Sequence, residues 1–133
     1  MIPRLVAAGH SVVAISRDPR KIDALRSSGA EGAICDVFDA VRLAGIVQDT
    51  APDAIVHQLT ALPAAMNPRQ LAAIYARNNR VRSEGTRNLL AAARAAKVTR
   101  MVLQSMGTWY RPEGGAVKTE QDPLWTDAPE PIG

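Results

Sequence analysis

Hydrophobic positions along this chain follow two rhythms. Short unbroken apolar runs alternate with stretches in which apolar residues recur every three or four positions. Val12, Val13, Ala14 and Ile15 form the first run, which reads as a strand buried on both faces. Ala33, Ile34, Cys35 and Val37 form the second, Ala54 to Leu59 the third, and Met101 to Leu103 the fourth. Between them lie helical signals. Leu5 to Ala8 read as the end of a helix that stops at Gly9. Asp18 is placed to cap the next helix, with Pro19 at its first position and Ile22, Leu25 and Ala24 turned inward until Gly29 ends it. Val41, Leu43, Ala44, Ile46 and Val47 are spaced as a third helix, which Pro52-Asp53 breaks.

The segment from Pro68 to Lys97 carries the clearest helical pattern. At about 100° per residue, Leu71, Ile74, Asn78, Val81, Gly85, Leu89, Ala92 and Ala96 share one face. Arg69, Arg80, Arg87 and Arg94 share the opposite face, which reads as solvated. Asn78-Asn79 is the weak point at which this segment is expected to bend or divide. Beyond Arg111 the chain is rich in Pro, Gly and acidic residues without periodicity and reads as loop. Strands alternating with helices imply a parallel sheet covered on both faces, with right-handed crossovers. A doubly wound dinucleotide-type fold is the leading expectation.

Composition narrows the function classes. At 133 residues the chain holds at most one small domain, and with 4% aromatics its core must be built from Ala, Val, Leu and Ile. Arg supplies 13 of the 16 basic residues, but the net charge of +3 is a mild excess. Together with the scarcity of stacking aromatics, it argues against a nucleic-acid partner. The single Cys35 excludes an internal disulfide, and no Cys/His spacing suits a metal. No apolar stretch is long enough to span a bilayer, and the first residues lack a signal-peptide layout, so a cytoplasmic protein is the default expectation.

Several stretches, taken in order, resemble one family. DAIVHQLTAL (53–62) is similar to the strand and loop D-x-V-x-H-x-A-A of the extended short-chain dehydrogenases/reductases, the NAD(P)-dependent epimerase/dehydratase group. EGTRNLLAAARAAKVTRMVLQS (84–105) resembles that group's G-T-x-N-L-L helix and the strand after it. CDVFD (35–39) resembles its G-D-x-x-D strand end, and VKTEQDPL (117–124) resembles the loop before its catalytic Tyr helix. The resemblance implies an incomplete Rossmann-like doubly wound sheet over residues 1–110, lacking the first strand and its glycine-rich turn. Residues 111–133 would be a loop leading toward a catalytic Tyr helix that is also missing. It implies a piece of an epimerase/dehydratase or reductase working by hydride transfer through a nicotinamide, with little activity of its own. The expected partner is a small-molecule substrate, with homodimerisation allowed for. A noncatalytic NADP-binding sensor on the same fold is the alternative.

Candidate site residues follow the strand ends. Ser16-Arg17 close the first strand, where an acid would suit NAD ribose and an Arg suits a 2′-phosphate, so NADP is favoured over NAD. The plainer alternative is an exposed Arg beside a helix cap. The resemblance places Asp36 and the backbone of Val37 beside adenine; alternatively Asp36 forms a turn with Asp39. It places Leu59, Thr60 and Ala61 against the nicotinamide-side ribose and phosphates. His57, inside an apolar strand, reads as a core histidine with both nitrogens satisfied. A buried Asn78 needs partners and is expected to tie the long helix to the loop after His57, while Gly85 allows close approach of helix to sheet. Arg82 stands where the family often carries Asn. Counting back from Tyr110, the family's catalytic hydroxyl position falls on Met106, whose thioether cannot donate a proton. Ser105 and Thr108 are then the candidate catalytic hydroxyls.

Overall fold

The computed structural model describes residues 1–63, 65–105 and 110–127. Among them stand four parallel strands: β1 (Val13–Ser16), β2 (Glu31–Ile34), β3 (Ala54–His57) and β4 (Arg100–Leu103). Five α-helices separate and flank them: α1 (Ile2–Ala7), α2 (Ile22–Ser27), α3 (Ala40–Thr50), α4 (Leu71–Arg80) and α5 (Thr86–Ala95). β1 pairs with β2, and β3 with β4, each in parallel register; β1 and β3 are not hydrogen-bonded to each other.

Local chemistry sets the helix limits. Gly9 and Gly29, just past α1 and α2, adopt φ of +85° and +91°, which glycine enters without a Cβ clash. Asp18 accepts the backbone N–H of Arg20, and Pro19 opens a 3-10 turn that runs into α2. Asp39 caps α3 by accepting the N–H of Arg42.

The long helical segment is interrupted, but not at Asn78-Asn79. A π-helical turn, Val81–Gly85, separates α4 from α5. Within it Ser83 donates its hydroxyl to the carbonyl of Asn79 at 2.8 Å, a side-chain bond that competes with the regular helix ladder. The expected inward face nevertheless holds. Ile74, Asn78, Val81, Gly85, Leu89 and Ala92 are buried, and Arg69, Arg80, Arg87 and Arg94 are exposed.

Helices pack on both faces of the β1–β2 pair. Strand alternation puts Ala14 and Gly32 on one face, where Ile22 of α2 packs against Gly32. It puts Ile15 on the other, against the core cluster of Cys35, Val37, Leu43, Val47, Leu89 and Ala92. Ile55 of β3 and Met101 of β4 pack on that same cluster, so the α3–α5 pair spans both strand pairs. Leu43 is only 1% exposed, and its truncation to Ala would cost about 2–5 kcal/mol. β1 is half-buried on both faces rather than fully buried.

Candidate functional site at the strand ends

Ligands of open α/β sheets bind beyond the carboxyl ends of the strands. Here the start of α5 gathers those ends together. Asn88 donates its Nδ2 hydrogen to the carbonyl of Val37, just after β2, at 2.9 Å. Gly85 lies so near Val37 that a Cβ there would sit 3.0 Å from Cγ1. Thr86 reaches His57, the last residue of β3, with Oγ1 3.1 Å from Nε2. One helix turn therefore holds the exits of β2 and β3 side by side.

At the β1–β2 end, parallel pairing sets Ser16 beside Ile34, and Cys35 donates its N–H to Ser16 O at 3.0 Å. Ser16-Arg17 and Asp36-Val37 are thus neighbours. The Ser16 hydroxyl accepts the N–H of Asp18 at 3.1 Å, so it shapes the turn into α2. Asp18 is taken by Arg20, whose guanidinium beside it holds its carboxyl down to about 2. Arg17 is exposed, and among the described residues it has no carboxylate within 4.0 Å. Asp36 Oδ1 accepts the N–H of Phe38 at 3.0 Å, and Asp39 donates its N–H to Asp36 O. The turn-forming reading of Asp36 with Asp39 is therefore present in the fold.

The loop after β3 is held from two sides. His57 is 5% exposed and accepts the Leu59 N–H on Nδ1 at 3.2 Å. Nδ1 being an acceptor, the ring proton resides on Nε2 and is donated to Thr86 Oγ1. Burial, aided by the nearby charge of Arg82, lowers the His57 pKa and keeps the ring neutral. Asn78, 1% exposed, accepts on Oδ1 from the Thr60 hydroxyl at 3.0 Å and from the Ala61 N–H at 3.1 Å. Both expectations, a core histidine and an Asn tie, match this geometry. Asn78 Nδ2 is buried with no acceptor among the described residues.

A cavity of about 330 Å³ opens between the ends of β3 and β4, lined by His57, Arg82, Thr86, Leu103, Gln104 and Ser105. Ser105 is thus brought beside the β3 exit. Thr108 and Met106 lie outside the described residues. Thr86, Asn88 and Gln104 carry no candidate role in the sequence. Thr86 and Asn88 flank the buried helical face inside the G-T-x-N stretch, and polar residues at that border were the available signal.

The chain is similar to known proteins. A family model described as NAD(P)H-binding matches residues 1–128. The chain is 37% identical over 132 residues to a 3-diazoavenalumate denitrifying reductase from Streptomyces sp, covering 98% of this chain and 41% of that protein. Among solved structures it resembles a UDP-glucose-4-epimerase from Stenotrophomonas maltophila with bound NAD and formylated UDP-arabinopyranose. That match has 22% identity and a TM-score of 0.75 over 92% of this chain and 38% of the other. A UDP-glucose 4-epimerase from Bifidobacterium longum in complex with NAD+ and UDP matches at 18% identity and a TM-score of 0.73, over 92% of this chain and 38% of the other. These structural likenesses establish a partial Rossmann-like α/β fold with parallel strands. The chain spans less than half the length of each of these relatives.

Proposed function

The chain belongs to the NAD(P)H-binding family, and from that premise we propose that it forms the cofactor-binding part of an NADP-preferring reductase acting on a small molecule. The observation that carries this reading is the convergence of the β2 and β3 exits at the start of α5, with the β1 exit paired beside that of β2. When bound, the nicotinamide supplies hydride chemistry, while the protein supplies binding, orientation and electrostatics.

The residues fit such a cofactor. Arg17, exposed and without a carboxylate partner among the described residues, is suited to a 2′-phosphate. Asp36 keeps one carboxylate oxygen outside its turn bond among the described residues, and Val37 is held by Asn88, which supports a role for both in recognising adenine. Leu59, Thr60 and Ala61, pinned by His57 and Asn78, offer a fixed loop to the ribose and phosphates. The buried, unpartnered Asn78 Nδ2 beside that loop is a further donor. Ser105, which lines the cavity, is the candidate hydroxyl for the substrate.

The reductase relative supports reduction over epimerisation, since the epimerases share only the fold at their level of identity. It also favours an enzyme over the noncatalytic sensor.

Titration of isotopically labelled protein with NADPH and NADH tests the proposal. NADPH is expected to shift the backbone signals of Arg17, Val37 and Thr60. Arg17→Ala should weaken NADPH by about tenfold to a hundredfold, the worth of one charge-assisted contact, and leave NADH unchanged. Equal weakening of both cofactors would refute the assignment of Arg17. Silence at all three positions with millimolar NADPH would refute the cofactor site itself.

A further inference from the structure

The cavity between the β3 and β4 exits is lined by Arg82, Thr86 and Ser105 and by no carboxylate. Arg82 enters it from the π-helical turn and is half-buried. Its Nη2 donates to the carbonyl of Gln104 at 2.5 Å, which fixes the guanidinium and leaves other N–H groups of the fork to turn elsewhere. Four arginines of the chain, Arg20, Arg26, Arg80 and Arg111, pair with carboxylates. Arg82 has none within 4.0 Å among the described residues. His57 is neutral and directs its proton at Thr86, so the Thr86 oxygen is the acceptor of that bond and its own hydrogen is left to donate. Ser105 adds a second hydroxyl at the rim.

A half-desolvated cation with hydroxyl donors around it favours one kind of guest. We propose that this cavity is an oxyanion subsite in which Arg82, with Thr86 and Ser105, binds a carboxylate or phosphate group. The preferred occupant is the anionic group of the substrate, an assignment that rests on the hydride-transfer reading above. Arg82 is then the residue that selects anionic substrates. The π turn matters because it carries Arg82 across to Gln104, and such turns often mark functional sites.

The test uses the full chain at constant ionic strength with two probes, benzoate and inorganic phosphate, and chloride as the reference. Side-chain nitrogen signals of Arg82 and His57 report occupancy. Either probe is expected to shift both sets saturably. Arg82→Gln should weaken the response by at least about tenfold, and Arg82→Lys, which keeps the charge but not the fork, should fall between. A response to benzoate alone assigns the subsite to a carboxylate substrate, and a response to phosphate alone assigns it to a phosphate-bearing ligand. No saturable response to either probe, or an unchanged response in Arg82→Gln, would overturn the subsite. NADPH added to the same samples separates the two readings. If Arg17 and Val37 still respond to NADPH while the anions fail, the cofactor assignment stands and the subsite alone is lost.

Discussion

His57 and Asn78 show how much one buried polar side chain organises. Each ends a chain of contacts that fixes the Leu59–Ala61 loop, and each was legible as a buried polar group that needed partners. The loop after His57 was legible as the place Asn78 ties to, but Thr86, 29 positions from His57, was not legible as that ring's partner. The neutral state of His57 has a consequence for stability. Its folded pKa lies below the ordinary value of 6.5, so the unfolded chain binds a proton first as the pH falls. Stability should therefore be full above about 6.5 and decline as the pH drops below it, levelling only once the folded ring also protonates. Melting temperatures measured from pH 8 to 5 check this. His57→Gln should melt lower at pH 8 by about 1–3 kcal/mol of lost hydrogen bonding and should lack the part of the acid decline that belongs to the ring. A variant with the same slope as the parent would rule out His57 as its source.

Glycines in two helical stretches make opposite forecasts. Gly45 lies inside α3 with open space where a Cβ would go, so Gly45→Ala should stabilise by about 0.5–1 kcal/mol. Gly85 stands at the end of the π turn against Val37, itself buried in the core cluster, so Gly85→Val should destabilise by about 1–3 kcal/mol. Urea unfolding of the two variants decides both, and equal effects would contradict the close approach of α5 to Val37. The inward face of the Pro68–Lys97 segment was readable because helical periodicity is a local property. The π turn was not readable. By sequence Asn78-Asn79 is the weak point, yet Asn78 is locked into the helix–loop tie and the departure falls at Val81–Gly85.

For the molecule as a whole, the accessible surface of 9452 Å² exceeds the roughly 6,800 Å² that a compact monomer of this mass would show. Part of the excess lies on the β3–β4 pair, where Val56, Val102 and Leu103 are 39%, 60% and 46% exposed. The neighbouring pair ends at β1 without a bond to β3, so strand edges with unpaired backbone groups remain. The 133-residue chain on its own is therefore expected to self-associate. Sedimentation velocity should show mass rising with concentration, and a monodisperse monomer with one cooperative melt would contradict this. At this scale the division between sequence and structure is plain. The alternation of apolar runs with helical spacing determined the elements, the buried helix face and the parallel α/β class, because these depend on residues a few positions apart. Tertiary structure alone decided that the strands stand as two separate pairs. It also decided that Asn88 meets Val37, Thr86 meets His57, and Arg82 turns into a cavity beside Ser105. Those meetings join residues far apart in the chain, and only packing and register bring such groups within hydrogen-bond reach.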